Sequence, residues 1–312
     1  MQSKLNRRNF VKAAALTGVA LSVAPSLLAH GNASYKVDKA WKLHTDPNYP
    51  VGSITGVAVG KDGRVYVAGG EGENEPILIF DAKGKFLKAF GKGTIAGKHE
   101  VKIIDGSLWA TDTGGHQVHE FTLDGELIRS FGVADEPDED ETHFNKPTDI
   151  AIAKDGSIFI SDGYGNRRIV KLDQDGKFIT AWGMKGDFDG DFMNPHNIEV
   201  DENNRVYVAD RENHRIQVFD TEGNFITKWT NTGRVFGLTL APHNQILATE
   251  GSADQMRLLI MDRNSGKIIQ SIGSKGSLQG QFDLPHSVVM ASNGDIYVGE
   301  TTNKRVQKFV LK

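Results

Sequence analysis

The chain of 312 residues contains no cysteine, which excludes disulfide staples and thiolate metal sites. Beyond the N-terminal segment no apolar run approaches the ~20 residues that a membrane-spanning helix needs. A basic tract is also missing. The first 33 residues hold Lys4, Arg7, Arg8 and Lys12 and no acid, so a formal charge of −4 for the whole chain leaves −8 for the remainder. A net-negative body without a basic stripe argues against a nucleic-acid partner. What the chain has in quantity is glycine, 35 residues, mostly in short turn signals between apolar runs. That distribution is all-β rather than disordered.

The N-terminus reads as an export signal. Asn6-Arg7-Arg8-Asn9-Phe10-Val11-Lys12 precedes a modestly apolar, Ala- and Gly-diluted stretch from Ala13 to Ala29. Paired arginines in this setting resemble a twin-arginine signal. Small residues in Gly31-Asn32-Ala33 suggest cleavage after Ala33, which leaves 34–312 as the mature chain. The expected location is periplasmic or secreted.

The rest of the chain repeats. Apolar strands end in short polar turns at Val65-Tyr66-Val67-Ala68-Gly69, Leu108-Trp109-Ala110-Thr111-Asp112, Ile158-Phe159-Ile160-Ser161-Asp162, Val206-Tyr207-Val208-Ala209-Asp210, Ile246-Leu247-Ala248-Thr249-Glu250 and Ile296-Tyr297-Val298-Gly299-Glu300. Six units of roughly 40–50 residues match the period of propeller blades. Each predicts an antiparallel four-stranded sheet, with the ring closed so that no edge is left open. The last unit stops after its third strand, so Tyr35–Leu43 is expected to supply its outer strand. Aromatic residues at the blade ends are expected to fill the gap to the next blade. The acids that close the strands, with Arg168, Arg215 and Arg305, recur blade by blade and read as structural pairs.

A second landmark recurs as Ile95-x-x-Lys98-His99, Phe144-x-x-Pro147-Thr148, Phe192-x-x-Pro195-His196 and Phe282-x-x-Pro285-His286. The histidines occupy every second copy, 97 and 90 residues apart, with Thr148 and Gly237 aligned to them in odd units. In a ring, alternate units can bring three imidazoles together near the axis. Three neutral nitrogens with an open fourth position suit a catalytic zinc, with iron, copper and nickel as alternatives.

These motifs carry a resemblance. The blades look like NHL repeats, and the chain is similar to the peptidyl-α-hydroxyglycine α-amidating lyase family. It matches most densely at Phe144–Ile150, Ser161-Asp162-Gly163-Tyr164-Gly165-Asn166, Pro195-His196, Val208-Ala209-Asp210-Arg211-Glu212-Asn213 and Pro285-His286. The resemblance implies a six-bladed propeller whose zinc is held by His99, His196 and His286 from blades two, four and six. It implies Tyr164 as catalytic tyrosine and Arg211 as a substrate-binding arginine. The reaction would cleave a peptide ending in α-hydroxyglycine into the peptide amide and glyoxylate. Two readings of the residues agree with these roles. Tyr164 lies where blade three carries one extra residue after its acid, and Arg211 has no counterpart in the other repeats.

The chain departs from the family in two places. Gly69 stands where the family has an arginine in blade one, a loss that would either alter substrate choice or abolish the lyase reaction. Ser287 stands where it has an acid that ligates a structural calcium, so calcium on the axis is in doubt. The alternative function is a non-catalytic exported propeller that binds a peptide or protein on its face. A carboxylate-centred lactonase propeller fits poorly, because histidines take the axial positions. The acidic run Asp135–Glu141 reads as a solvated loop, and Asp187–Asp191 as a blade connection.

Overall fold

The computed structural model describes residues 34–72 and 74–312; the export segment expected at 1–33 lies outside the described residues. Described residues form six four-stranded antiparallel sheets, the expected blades. Their inner strands are Val51–Val59, Lys98–Ile104, Asp149–Ile152, Pro195–Val200, Val235–Ala241 and Pro285–Met290. Among the described residues no helix is long and apolar enough to cross a membrane.

Ring closure works as anticipated, with a shorter strand. Tyr35–Val37 pairs antiparallel with Arg305–Leu311, Tyr35 opposite Leu311 and Val37 opposite Phe309. The chain leaves the sheet at Asp38, whose carboxylate accepts the amides of Ala40 and Trp41. It then crosses to blade one, where the Trp41 indole N–H donates to the Ala82 carbonyl at 3.0 Å.

The blade-end aromatics fill the gaps through a repeated contact. Phe90, Phe131, Trp182 and Trp229 lie against Gly125, Gly176, Gly223 and Gly266, the turn glycines before the outer strand of the following blade. In all four cases a Cβ on the glycine would fall within 2.7 Å of the ring. These glycines also have φ between 68° and 88°, which a side chain disfavours. One residue type thus meets both the turn and the packing requirement.

The closing acids pin the loops that lead into the inner strands. Asp210, fully buried, accepts the Arg215 Nε–H at 2.9 Å and the backbone amides of Met193 and Asn194 at 3.0 and 3.2 Å. Arg215 donates onward to the carbonyls of Asp187, Phe188 and Asp191, so the acidic-looking segment is a blade connection. Asp162 with Arg168 and Glu300 with Arg305 repeat the arrangement. Replacing Asp210 with alanine would strand a buried guanidinium and two amides next to His196. We expect a loss of about 3–5 kcal/mol, read as a lowered denaturation midpoint at unchanged m-value; a change below 1 kcal/mol would contradict this role.

Candidate metal centre

The inner strands of blades one, two, four, five and six open with a register irregularity on the channel side. Pro195 pairs with Asp210 and Asn197 with Ala209, which leaves His196 as an extra residue. His286 is bulged between Pro285 and Ser287, and Phe236 between Val235 and Gly237. His99 lies within the corresponding irregularity between Lys98 and Val101. Bulges re-aim side chains and recur beside active sites; here they turn the rings toward the axis. The register also corrects one alignment: Phe236, rather than Gly237, is the blade-five counterpart of the histidines.

The three imidazoles converge. Ring centroids lie 4.8 Å apart for His99–His196 and His196–His286 and 5.0 Å apart for His99–His286. One ligand nitrogen from each lies within 4.8 Å of the others, and all three residues are buried. Each Nδ1 meets a backbone carbonyl of the next blade: His99 that of Thr148 at 2.7 Å, His196 that of Phe236 at 2.7 Å, His286 that of Thr55 at 2.8 Å. A carbonyl only accepts, so Nδ1 carries the proton and Nε2 presents its lone pair inward. Burial pushes the His99 pKa down to about 4. For His196 and His286 burial, joined by the neighbouring positive groups, also disfavours protonation.

Tyr164 enters this cluster. Its loop holds five residues between Asp162 and Arg168, against four between Asp210 and Arg215. Gly163 and Gly165 let the loop press close: a Cβ on Gly163 would lie 2.0 Å from the Pro195 carbonyl oxygen, and one on Gly165 2.1 Å from the Asn145 side chain. The Tyr164 Oη thereby reaches 2.9 Å from His99 Nε2 and 3.0 Å from His196 Nε2. Burial raises its pKa, while the Arg211 charge acts in the opposite direction.

Three lone pairs and a phenol oxygen share the space, yet the phenol has a single proton to donate. One of its two short contacts therefore lacks a hydrogen. A cation bound by the three Nε2 atoms satisfies this electron-rich set, and neutral imidazoles are the form that metals require. The residues fit a His₃ metal site.

Arg211 follows Asp210 and stands beside the cluster, Nη1 3.4 Å from the Tyr164 Oη and its guanidinium 4.7 Å from the Phe236 ring centroid. Its Nε donates to Glu212 at 2.8 Å. The same Glu212 oxygen accepts from Arg234 Nη2 at 2.6 Å. Burial would raise the Glu212 pKa, but the Arg234 hydrogen bond and the Arg211 charge outweigh it and hold the carboxyl below its usual range. Sequence reasoning did not single out Phe236, Glu212 or Arg234. Gly69, where an arginine was expected, is closely packed: a Cβ would lie 2.8 Å from Val67 Cγ1 and 3.1 Å from Ile54 Cγ1.

One residue farther along the inner strands of blades two, three, four and six lies a second ring of Glu100, Asp149, Asn197 and Ser287. Their side chains meet amides that the inner strands leave unpaired toward the channel. Ser287 Oγ accepts from Val57 and donates to Glu100, Asp149 accepts from Ile198, and Asn197 accepts from Leu238. Lys102 Nζ donates to Asp149 Oδ2 at 2.6 Å and the Ile198 carbonyl at 2.7 Å, 3.1 Å from Glu199. Burial alone would lower the Lys102 pKa, but Asp149 and Glu199 push it upward. Lys102 thus sets an ammonium of the chain itself among these channel carboxylates.

The NHL-repeat family model matches residues 192–219 and 282–309. The chain is 35% identical over 258 residues to a peptidyl-glycine alpha-amidating monooxygenase from Mus musculus, covering 77% of this chain and 26% of that protein. It is 31% identical over 211 residues to a probable peptidyl-alpha-hydroxyglycine alpha-amidating lyase from Caenorhabditis elegans, covering 59% of this chain and 60% of the relative. It thus spans about a quarter of the first relative's length and under two thirds of the second's. Among solved structures, a virginiamycin B lyase from Staphylococcus aureus superposes with a TM-score of 0.60 at 14% identity, covering 89% of this chain and all of that one; this likeness shows the fold. The chain is an NHL-repeat six-bladed β-propeller similar in sequence to the amidating lyases.

Proposed function

We propose that this protein is a zinc-dependent lyase that splits a peptide ending in α-hydroxyglycine into the peptide amide and glyoxylate. The observation that carries the reading is the meeting of three neutral, lone-pair-bearing Nε2 atoms with the Tyr164 hydroxyl in a chain whose relatives include named amidating lyases. His99, His196 and His286 would hold the metal. A bound zinc ion supplies a Lewis acid that polarises oxygen groups and favours an ionised phenol beside it.

The chain's own groups account for the rest. Tyr164 Oη, as phenolate, takes the proton of the substrate hydroxyl. The hydroxyl oxygen becomes the aldehyde oxygen of glyoxylate as the C–N bond breaks. That bond's electron pair goes to the amide nitrogen, which takes up a proton, so atoms and charge balance without a redox partner. Arg211 orients the chain end through its guanidinium, and burial around the three imidazoles limits water. The export signal belongs to the same proposal: the mature chain would act in the periplasm or outside the cell after twin-arginine transport.

The direct test incubates zinc-loaded protein with an N-acylated α-hydroxyglycine peptide. Glyoxylate and peptide amide are expected in equal amounts. With the metal bound and no glyoxylate released, the lyase reading fails and the non-catalytic propeller takes its place.

A further inference from the structure

We infer that Arg234 completes a carboxylate seat with Arg211, and that Glu212 is the internal counter-ion an incoming carboxylate displaces. The inference rests on the lyase reading for the substrate's identity and adds to it the residue that selects a free carboxylate terminus.

The two guanidiniums come from adjacent blades, Arg211 after the second strand of blade four and Arg234 just before the inner strand of blade five. They converge on one oxygen, Glu212 Oε1, at 2.8 Å from Arg211 Nε and 2.6 Å from Arg234 Nη2. Two positive charges thus share one negative charge, and an excess of one positive charge remains. Both guanidiniums also face the Phe236 ring, at 4.7 and 5.4 Å from its centroid. That ring lies 5.3 Å from His196 and 5.4 Å from His286. The excess charge therefore sits one aromatic ring away from the metal ligands.

Donors are left over as well. Arg234 Nε is buried with no hydrogen-bond partner among the described residues, and Arg211 Nη1 makes one long contact, 3.4 Å to Tyr164. The structural arginines behave differently. Arg215 and Arg305 each spend Nε on a blade acid and both remaining nitrogens on loop carbonyls. A buried N–H without an acceptor is costly, and a guanidinium fork matches a carboxylate. A substrate ending in a carboxylate beside its α-hydroxyl would place the anion in this seat and the hydroxyl at the histidines.

Calorimetry with N-acetylglycine and N-acetylglycinamide, on metal-free and zinc-loaded protein, tests the seat. Wild type is expected to bind the acid in preference to the amide. Arg234→Gln should weaken the acid about tenfold, one charge-assisted contact, and leave the amide unchanged. Glu212→Gln should tighten the acid several-fold by removing the competing carboxylate. Circular dichroism verifies that each variant is folded. Equal affinity of folded Arg234→Gln and wild type for the acid would overturn the inference, as would wild type failing to prefer the acid. Glyoxylate release by wild type is measured separately, so a failed seat and a failed lyase reading give different results.

Discussion

Tyr164→Phe is expected to lower kcat/KM about 10²- to 10⁴-fold, the usual range for removing a positioned proton acceptor, while metal content stays at wild-type level. The phenol oxygen lies at hydrogen-bond distance from two of the three proposed ligands, so a purely structural tyrosine would show its loss as weakened metal binding. A catalytic one shows it in turnover. Phenylalanine keeps the ring, which packs edge-on to His99 and His196 at 5.2 and 5.6 Å between centroids. Gly163 and Gly165 still hold the loop. Single-turnover kinetics with zinc bound separates the two roles. Less than a threefold change in turnover would remove Tyr164 from the chemistry.

The second large effect concerns stability. A metal that binds the folded chain and not the unfolded one stabilises it by mass action, about 4 kcal/mol at a free concentration 1,000 times Kd. For a domain of this size each kcal/mol moves Tm by about 2–4 °C. Stripping the metal should therefore lower Tm by about 8–16 °C, and adding zinc back should restore it. His196→Ala should abolish that response. Its ring is buried, with Nδ1 committed to the Phe236 carbonyl and Nε2 facing His99, His286 and the Tyr164 hydroxyl, so the substitution removes one of the three proposed ligand nitrogens. The variant also starts from a lower Tm, because a cavity and an unpaired carbonyl remain. The diagnostic quantity is the loss of the zinc-dependent shift, and a shift of wild-type size in the variant would contradict a three-histidine site.

Much of this was legible in the chain because a propeller writes its geometry as a period. The strand-end acids mark where the arginine pairs form, and the alternation of His99, Thr148, His196 and His286 foretells convergence once the ring closes. The extra residue before Ile169 marks the loop that carries Tyr164 inward. The alignment of Gly237 failed by one residue because apolar Phe236 occupies a position held by polar residues elsewhere. The spacing held the answer: Phe236 to Glu250 is 14 residues, as is His196 to Asp210. The closing strand is shorter than Tyr35–Leu43 because Asp38 turns the chain toward blade one. Arg234 and Lys102 were not legible. Each meets its partners across a blade boundary, Arg234 at Glu212 and Lys102 at Asp149 and Glu199, and no local motif encodes such a meeting.

Anomalous diffraction at the zinc edge from crystals of the zinc-loaded protein tests the central claim most directly. The account predicts one strong peak among His99, His196 and His286, with the three Nε2 atoms at about 2.0–2.1 Å. A zinc-saturated crystal with no peak among those rings, or with its strongest peak elsewhere, would contradict it.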